Sequence, residues 1–468
     1  MAQNEFDVVI LGAGTGGYYA AFRAKQLGLN VAVVERDKVG GVCLHRGCIP
    51  TKAFLKSASV LDTVNRASEF GVDIKGDTTF NYDTALKRSL AVVNKQYTGL
   101  QFLFDKKNKV PVFAGDGKLI SKNQVEVTLS EGGKKEVLTA KHIIINTGSR
   151  PRDIEGLETD GKVVINSDHA VVMEKLPKRL IVRGGGATGV EWASVYHRYG
   201  SEVTLVGNVV PNEDADIRKE LTKQFKRQKI NVLEGVRPKA ENFEVTSKGV
   251  KMTVNDARGK EQVVEADVLL VATGRQPNIE NIGLEEVGVK TEKGAIVVDD
   301  MMRTNVEGIY AIGDVNGIQM LAHTAGHHGI IAAEHIAGHN PFPLDHNNVP
   351  TCTYCFPEIG SVGLTEEQAK ELGYEVMVGK FPMMPNGKAV IEGEAEGLTK
   401  IVVDADTHDV LGVHIIGPHA TELIAEAGLA RFLNASAEEL TMTVHPHPTV
   451  SEVIGQAAMD VFGQAIDM

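Results

Sequence analysis

Cys43 and Cys48 lie five residues apart in the segment Gly40-Gly41-Val42-Cys43-Leu44-His45-Arg46-Gly47-Cys48-Ile49-Pro50-Thr51-Lys52. Such a pair can open and close a disulfide, the chemistry of dithiol exchange. Five residues of regular helix rise about 7.5 Å, beyond the ~7 Å that a disulfide tolerates between Cα atoms. Bonding the two therefore requires a distorted turn, for which Gly47 and Pro50 are suited. A strained, accessible bond there is easily reduced, and a thiolate near a helix start beside cations is stabilised. The alternative is two buried thiols, since cysteine is commonly buried. Spacing alone leaves both open.

A second constellation sits near the C-terminus, in His445-Pro446-His447-Pro448-Thr449-Val450-Ser451-Glu452. Two prolines narrow the backbone choices around His447 and give its ring a defined direction. A histidine oriented by a carboxylate is the usual general base, with Glu452 the candidate orienter. Thr449 to Glu452 also fits a capping box, and the residues alone favour that role for the glutamate. Cys352-Thr353-Tyr354-Cys355 has metal-ligand spacing but no companion pair. Packed thiols in a strand are the expected reading, and no metal site is expected.

The elements that must position these groups follow a repeated grammar. Residues 6–11 form an apolar, β-branched run that stops at Gly12-Ala13-Gly14-Thr15-Gly16-Gly17, and residues 18–27 then carry helical spacing. Gly12 permits the tight bend, Gly14 lets the backbone approach a pyrophosphate, and Gly17 lets helix and strand pack closely. A strand at 31–34 ends at Glu35, about 20 residues on, where a ribose-binding acid belongs. The pattern returns as a strand at 180–182, the turn Gly184-Gly185-Gly186-Ala187-Thr188-Gly189, and a helix at 190–199. Each copy is followed by a strand ending in a threonine-glycine pair, Thr147-Gly148 and Thr273-Gly274.

Residues 51–104 read as largely helical and 110–138 as a small antiparallel sheet inserted in the first fold. Asn340-Pro341-Phe342-Pro343 marks a boundary. The expected architecture is α/β: two Rossmann-like dinucleotide-binding domains, residues 1–150 and 151–278, a central segment 279–345, and a C-terminal α+β domain, 346–468. A chain of 468 residues is long enough for several cores. Acidic residues outnumber basic ones by 61 to 49, for a formal charge of -12, which disfavours nucleic acid as a partner. No apolar run approaches the ~18 to 20 residues of a spanning helix, and the first seven residues are too short and polar for a signal peptide, so a cytoplasmic protein without a membrane partner is expected.

The Gly40 to Lys52 segment resembles the redox-active segment of the pyridine nucleotide-disulfide oxidoreductases, and the resemblance runs through the chain in order. It is most similar to the members that oxidise dihydrolipoyl groups. The resemblance implies a Cys43–Cys48 disulfide and FAD in the first fold. Glu35 would hold the adenosine ribose, with Lys52, Gly115 and Thr147-Gly148-Ser149 nearby. Ala311-Ile312-Gly313-Asp314 resembles the second flavin motif, with Asp314 at the ribityl or pyrophosphate region and Met320, Leu321, Ala322 and His323 passing along the flavin ring. It further implies a homodimer in which His447, paired with Glu452, serves the partner's disulfide, and an ion pair between Lys52 and Glu191 close to the flavin. Electrons would pass from a dihydrolipoyl arm to NAD. That arm would be carried by a lipoyl domain of a 2-oxoacid dehydrogenase complex or the glycine-cleavage system.

The second glycine turn departs from that pattern. Gly184, Gly186, Gly189 and Gly274 keep the nucleotide grammar, but the strand at 203–206 ends in Gly207-Asn208 where an acid would accept the ribose hydroxyls. The following turn is about three residues shorter than the family pattern. No arginine cluster in the sequence replaces the acid, so NADP is not indicated. Arg183 and Thr188 stand where apolar residues are expected. One expectation is weak NAD binding through backbone and pyrophosphate contacts. Another is a cofactor with a different or missing adenylate half, such as nicotinamide mononucleotide, whose free phosphate Arg183 would pair with.

Overall fold

The computed structural model describes residues 4–256 and 258–467. The chain divides into two compact units: one takes in the chain to Ala53, Asp83–Arg152 and Gly274–Leu344, the other Phe54–Tyr82, Asp153–Thr273 and the chain from Asp345.

In the first unit, strands Glu5–Leu11, Val31–Glu35, Lys135–Ile145 and Ile309–Ala311 pair in parallel, with Ile10 opposite Val33 and Ile144. Their runs are apolar at successive positions because both faces are covered. Val8 and Ile10 face a core with Ala20, Ala24, Phe104 and Ile312. Val9 and Leu11 face another with Leu119, Leu138 and Ile145. Strands Val112–Ser121 and Gln124–Leu129 join Lys135–Ile145 as the antiparallel insertion. Helix Thr15–Gln26 crosses Ala322–Ile336 so closely that a Cβ on Gly329 would lie 2.4 Å from the Gly16 carbonyl oxygen.

The second unit holds a five-stranded parallel sheet in the order Asn231–Leu233, Glu202–Val206, Arg179–Arg183, Val268–Val271, Val164–Asn166. A second, antiparallel five-stranded sheet runs Thr351–Thr353, Glu358–Gly363, Val410–Gly417, Leu398–Asp404, Val376–Pro382. Helices Ala420–Phe432 and Glu452–Asp460 cover it through Ala427, Val453 and Ala457. Strand Arg275–Pro277 pairs with Ser149–Pro151 inside the first unit, so the segment of the second unit that carries the parallel sheet ends at Thr273. The chain's single tryptophan, Trp192, is fully buried against Tyr196 and Phe54, with ring centroids 5.4 and 5.6 Å away. The Tyr199 hydroxyl donates to the Phe54 carbonyl at 2.8 Å, adding a directional tie to this aromatic group.

One ion cluster ties the parallel sheet's domain to the antiparallel one. Lys400, 1% exposed, lies 2.9 Å from Asp214, 2.8 Å from Asp216 and 2.7 Å from Glu366. Asp214 also caps helix Ala215–Arg227 through the Asp216 N–H. Burial works against the charged form of Asp216, but Lys380 and Lys400 outweigh it and hold its carboxyl at about 2. Lys370 and then Lys400 hold Glu366 at about 2. Both pKa values are depressed, so the stability they contribute is complete above about pH 4.5 and drains away as the pH falls toward 2. Lys400→Met leaves Asp214 buried and uncompensated, and costs about 3–5 kcal/mol. Thermal unfolding at neutral pH measures this as a lower midpoint, and between pH 5 and 2 the variant's midpoint falls less steeply than that of the parent chain.

Candidate active site

Cys43 and Cys48 form a disulfide whose Cα atoms are 4.7 Å apart. They reach that separation because the helix is broken between them: Gly41–His45 ends at Arg46, and a new helix, Cys48–Asn65, begins at the second cysteine. Gly47 makes the break. A Cβ there would press to 3.2 Å from the Val42 carbonyl oxygen and 3.3 Å from the Cys43 Cα, closer than ordinary contact allows. Cys48 thus opens an 18-residue helix, whose N-terminal end favours negative charge on its sulfur once the bond is reduced. Lys52 stands one turn further along the same helix, half-buried. Arg46 pairs with Asp37, and the His45 Nε2 lies 2.9 Å from the Val39 carbonyl oxygen. Both cysteines are half-buried, so the bond is neither sealed in a core nor loose on the surface.

In the second unit, the His447 Nδ1 lies 2.8 Å from Glu452 Oε1 and its ring is 78% exposed. The other carboxylate oxygen of Glu452 accepts the Thr449 N–H at 2.9 Å. Burial opposes ionisation of Glu452, but the Thr449 N–H and the His447 ring hold its carboxyl below the usual value. The two roles considered for Glu452 are therefore filled at once, one by each oxygen. The Thr449 hydroxyl donates instead to the Pro446 carbonyl at 2.7 Å, so the threonine half of a capping box is missing. Glu452→Gln keeps an acceptor for Thr449 and removes only the charge facing the ring. It is expected to lower kcat about tenfold or more with no change in thermal midpoint, measured by steady-state kinetics alongside unfolding. The neighbouring His445 is tied to Glu426 at 2.7 Å, and that bond raises its pKa.

The first glycine turn is a cradle for a dinucleotide. Gly14 caps helix Thr15–Gln26 without a side-chain bond, and its first turn carries no acid, leaving N–H groups and the helix dipole for a phosphate. Gly17 cannot carry a Cβ, which would lie 2.0 Å from the Gly12 carbonyl oxygen. Glu35 accepts the Ala13 N–H at 2.7 Å and the Asp37 N–H at 2.8 Å, which fixes its carboxylate at the end of its strand. Ala114, just before the buried Gly115, sits opposite Glu35 across the sheet. The Thr147 hydroxyl donates to the Asn278 carbonyl at 2.6 Å, and Gly148 turns with φ 70°. The Ser149 hydroxyl donates to Asp314 while Arg275 donates to the Ser149 oxygen at 2.7 Å. Asp314 lies in the short helix Gly313–Asn316. Met320 and Leu321 lead into helix Ala322–Ile336, and His323 is exposed near its start. These features fit FAD.

Three supporting residues were not visible in the sequence. Asn146 donates from Nδ2 to the Gly12 carbonyl at 3.0 Å, Arg275 braces Ser149, and the fully buried His328 accepts the Gly313 N–H at 3.3 Å. Only Asn146 left a trace, as a polar residue ending an apolar strand.

The second glycine turn copies the first and then diverges. Gly186 caps helix Ala187–Arg198 with no side-chain bond and no acid in the first turn, and a Cβ on Gly189 would lie 1.8 Å from the Gly184 carbonyl oxygen. In the first fold the Gly40 N–H returns to the Ala13 carbonyl at 2.8 Å; here the Val210 N–H returns to the Gly185 carbonyl at 2.7 Å. The intervening chain shrinks from residues 36–39 to residues 208–209. This tighter return lays the Asn208 backbone on the turn: a Cβ at Gly185 would meet the Asn208 carbonyl oxygen at 2.1 Å. The Asn208 Oδ1 accepts the Gly235 N–H at 2.9 Å. Gly207 has φ 125°, and its missing Cβ would stand 3.9 Å from Arg183 Nη1. Thr188 is exposed on the helix start and Gly274 turns with φ 119°. Glu191, 5% exposed, accepts the Tyr354 N–H at 3.0 Å. Cys355 is buried, its thiol pushed well up by burial and then by Glu191. The Cys355 thiol lies 3.1 Å from the Pro357 carbonyl oxygen and that of Cys352 3.8 Å from the Thr421 one.

A disulfide at a helix start beside one dinucleotide cradle, with a second glycine turn of the same form, defines a two-nucleotide disulfide oxidoreductase. The chain belongs to the pyridine nucleotide-disulphide oxidoreductases: residues 6–329 match that family and residues 349–458 its dimerisation domain. It is 47% identical over 473 residues to the dihydrolipoyl dehydrogenase of Bacillus subtilis (strain 168), covering 99% of both chains. It is 42% identical over 470 residues to dihydrolipoyl dehydrogenase 1, mitochondrial, of Arabidopsis thaliana, covering 99% of this chain and 92% of that one. Among solved structures, LpdA from Mycobacterium tuberculosis superposes with a TM-score of 0.88 at 28% identity, covering 96% of this chain and 98% of that one. The flavoprotein disulfide reductase RclA from Escherichia coli superposes with a TM-score of 0.85 at 26% identity, over 97% and 99% of the two chains.

Proposed function

We propose that this protein oxidises a dihydrolipoyl dithiol to its cyclic disulfide and passes the electrons to a nicotinamide nucleotide, with FAD in the first fold and that nucleotide in the second. The observation that carries the reading is the Cys43–Cys48 bond opening a helix in the same unit as the FAD-type cradle. His447 of the partner subunit, its Nδ1 turned toward Glu452, takes the proton from one substrate thiol. The substrate thiolate attacks the Cys43 sulfur, and Cys48 leaves as a thiolate at the positive end of its helix. The second substrate thiol then displaces Cys43, closing the substrate disulfide and leaving both cysteines reduced. Lys52, one turn from Cys48, adds positive charge to the same helix face. When bound, FAD supplies the two-electron relay between the reduced cysteines and the nicotinamide ring. Glu35, Ser149 and Asp314 hold and orient that cofactor, and Gly186 with the start of helix Ala187–Arg198 receives the nicotinamide nucleotide's phosphates.

A homodimer supports the use of a histidine from a second copy. Leu429, Phe432, Leu433, Met442 and Val444 are 60–92% exposed on the domain that matches the family's dimerisation domain, an apolar group that a second copy would cover. No helix among the described residues is long and apolar enough to cross a membrane, and we place the enzyme in the cytoplasm, serving lipoyl domains of a 2-oxoacid dehydrogenase complex or the glycine-cleavage system. Anaerobic addition of dihydrolipoamide to the yellow holoenzyme tests the reading. A long-wavelength absorbance band from the Cys48 thiolate against the flavin is expected. A spectrum unmoved by dihydrolipoamide but changed by glutathione would replace the proposed substrate.

A further inference from the structure

We propose that Arg183 and Arg237 form a receptor for a phosphomonoester group of the nicotinamide nucleotide, at the position where the first fold keeps a carboxylate for ribose hydroxyls. The proposal rests on the reading that the second glycine turn binds that nucleotide.

The chain contains its own control for this site. At the end of strand Val31–Glu35, a carboxylate faces the turn and takes the Ala13 N–H. At the end of strand Glu202–Val206, Gly207 brings no side chain, and the nearest charged group to its missing Cβ is the Arg183 guanidinium at 3.9 Å. The sign of the charge at equivalent places is reversed. The Arg183 Nε donates to the Pro238 carbonyl at 3.3 Å, which fixes the guanidinium beside the chain that carries Arg237. The two are near enough that Arg237, after burial, holds Arg183 below its ordinary pKa. Among the described residues no carboxylate pairs with either guanidinium. Asn208, the one polar side chain next in sequence, is committed to Gly235.

Two neighbouring guanidinium groups, one of them half-buried, repel each other and are poorly screened. An anion between them removes the repulsion and meets two planar forks whose geometry suits a phosphate. A ribose diol offers such a site hydroxyls only, and the carboxylate that would have accepted them is missing. The short return of residues 208–209 reinforces the change, because the Asn208 backbone lies against Gly185. The ligand is thus a nicotinamide nucleotide bearing a phosphomonoester. Two chemical sources present that group: the 2'-phosphate of a dinucleotide, or the 5'-phosphate of a mononucleotide lacking the adenylate half.

Two ligand pairs that each differ by one phosphomonoester decide the matter: NAD+ against NADP+, and nicotinamide riboside against nicotinamide mononucleotide. Dissociation constants are measured on the oxidised holoenzyme by calorimetry, without turnover. The expected result is tighter binding of the phosphorylated member in at least one pair, by about tenfold or more. The pair that responds identifies the source. Arg183→Gln is expected to abolish the preference and Arg237→Gln to reduce it, and raising ionic strength to weaken it. Equal binding within both pairs, or a preference that survives Arg183→Gln, overturns the proposal. Should Arg183→Gln fail to fold, the exposed Arg237 carries the same test. The reduction of flavin by dihydrolipoamide needs no nicotinamide, so failure of the dithiol reading shows there and failure of the phosphate site shows only here.

Discussion

Cys43→Ser and Cys48→Ser each lose dihydrolipoamide turnover by about a thousandfold or more while the purified protein stays yellow. Both sulfurs are needed, because one receives the substrate thiolate and the other must leave. Neither is expected to unfold the chain. The bond closes a short loop, worth about 2 kcal/mol, and the helices on either side pack through Leu44 and Phe54, which are buried. The two variants also part company in the spectrum. Cys43→Ser retains Cys48 at the start of helix Cys48–Asn65, where a thiolate is favoured, and so gains a long-wavelength band with no reductant added. Cys48→Ser does not. Turnover retained in either variant removes the disulfide from the reaction.

His447→Gln is the second large effect, a fall in the dithiol reaction of about a hundredfold to ten-thousandfold. The ring stands 78% exposed with only Glu452 bonded to it among the described residues, so the substitution leaves the fold and the disulfide untouched. The loss should shrink as the pH is raised, because the substrate then ionises its own thiol and needs no base. Stopped-flow reduction of the flavin by dihydrolipoamide, followed from pH 7 to 9.5, measures this. A variant that reduces at the parent rate at pH 7 shows that the base lies elsewhere.

What could be read from the sequence was what is local. The glycine turns, the acid ending strand Val31–Glu35 and the five-residue reach from His447 to Glu452 are each written in a short stretch, since their geometry follows from neighbouring backbone. Even the cysteine pair declared its need for a break in the helix at Gly47. What escaped depends on chain that returns from far away. Lys400 meets Asp214 across 186 positions, and neither looks unusual alone. Arg237 joins Arg183 only after another strand has been added at the sheet edge, which is why a sequence scan for clustered arginines passes over the pair. Cys352 and Cys355 have metal-like spacing, yet each thiol meets a backbone carbonyl, as the reading of packed thiols expects.

The lone indole of the chain, wedged between Phe54 and Tyr196, makes the molecule its own optical gauge. Excitation near 295 nm addresses Trp192 and no other side chain, and Phe54 belongs to the same helix that opens at Cys48. A red shift of that emission therefore signals that this helix has come away from its packing, and a time-resolved trace distinguishes dithiol exchange on an intact scaffold from exchange that loosens it.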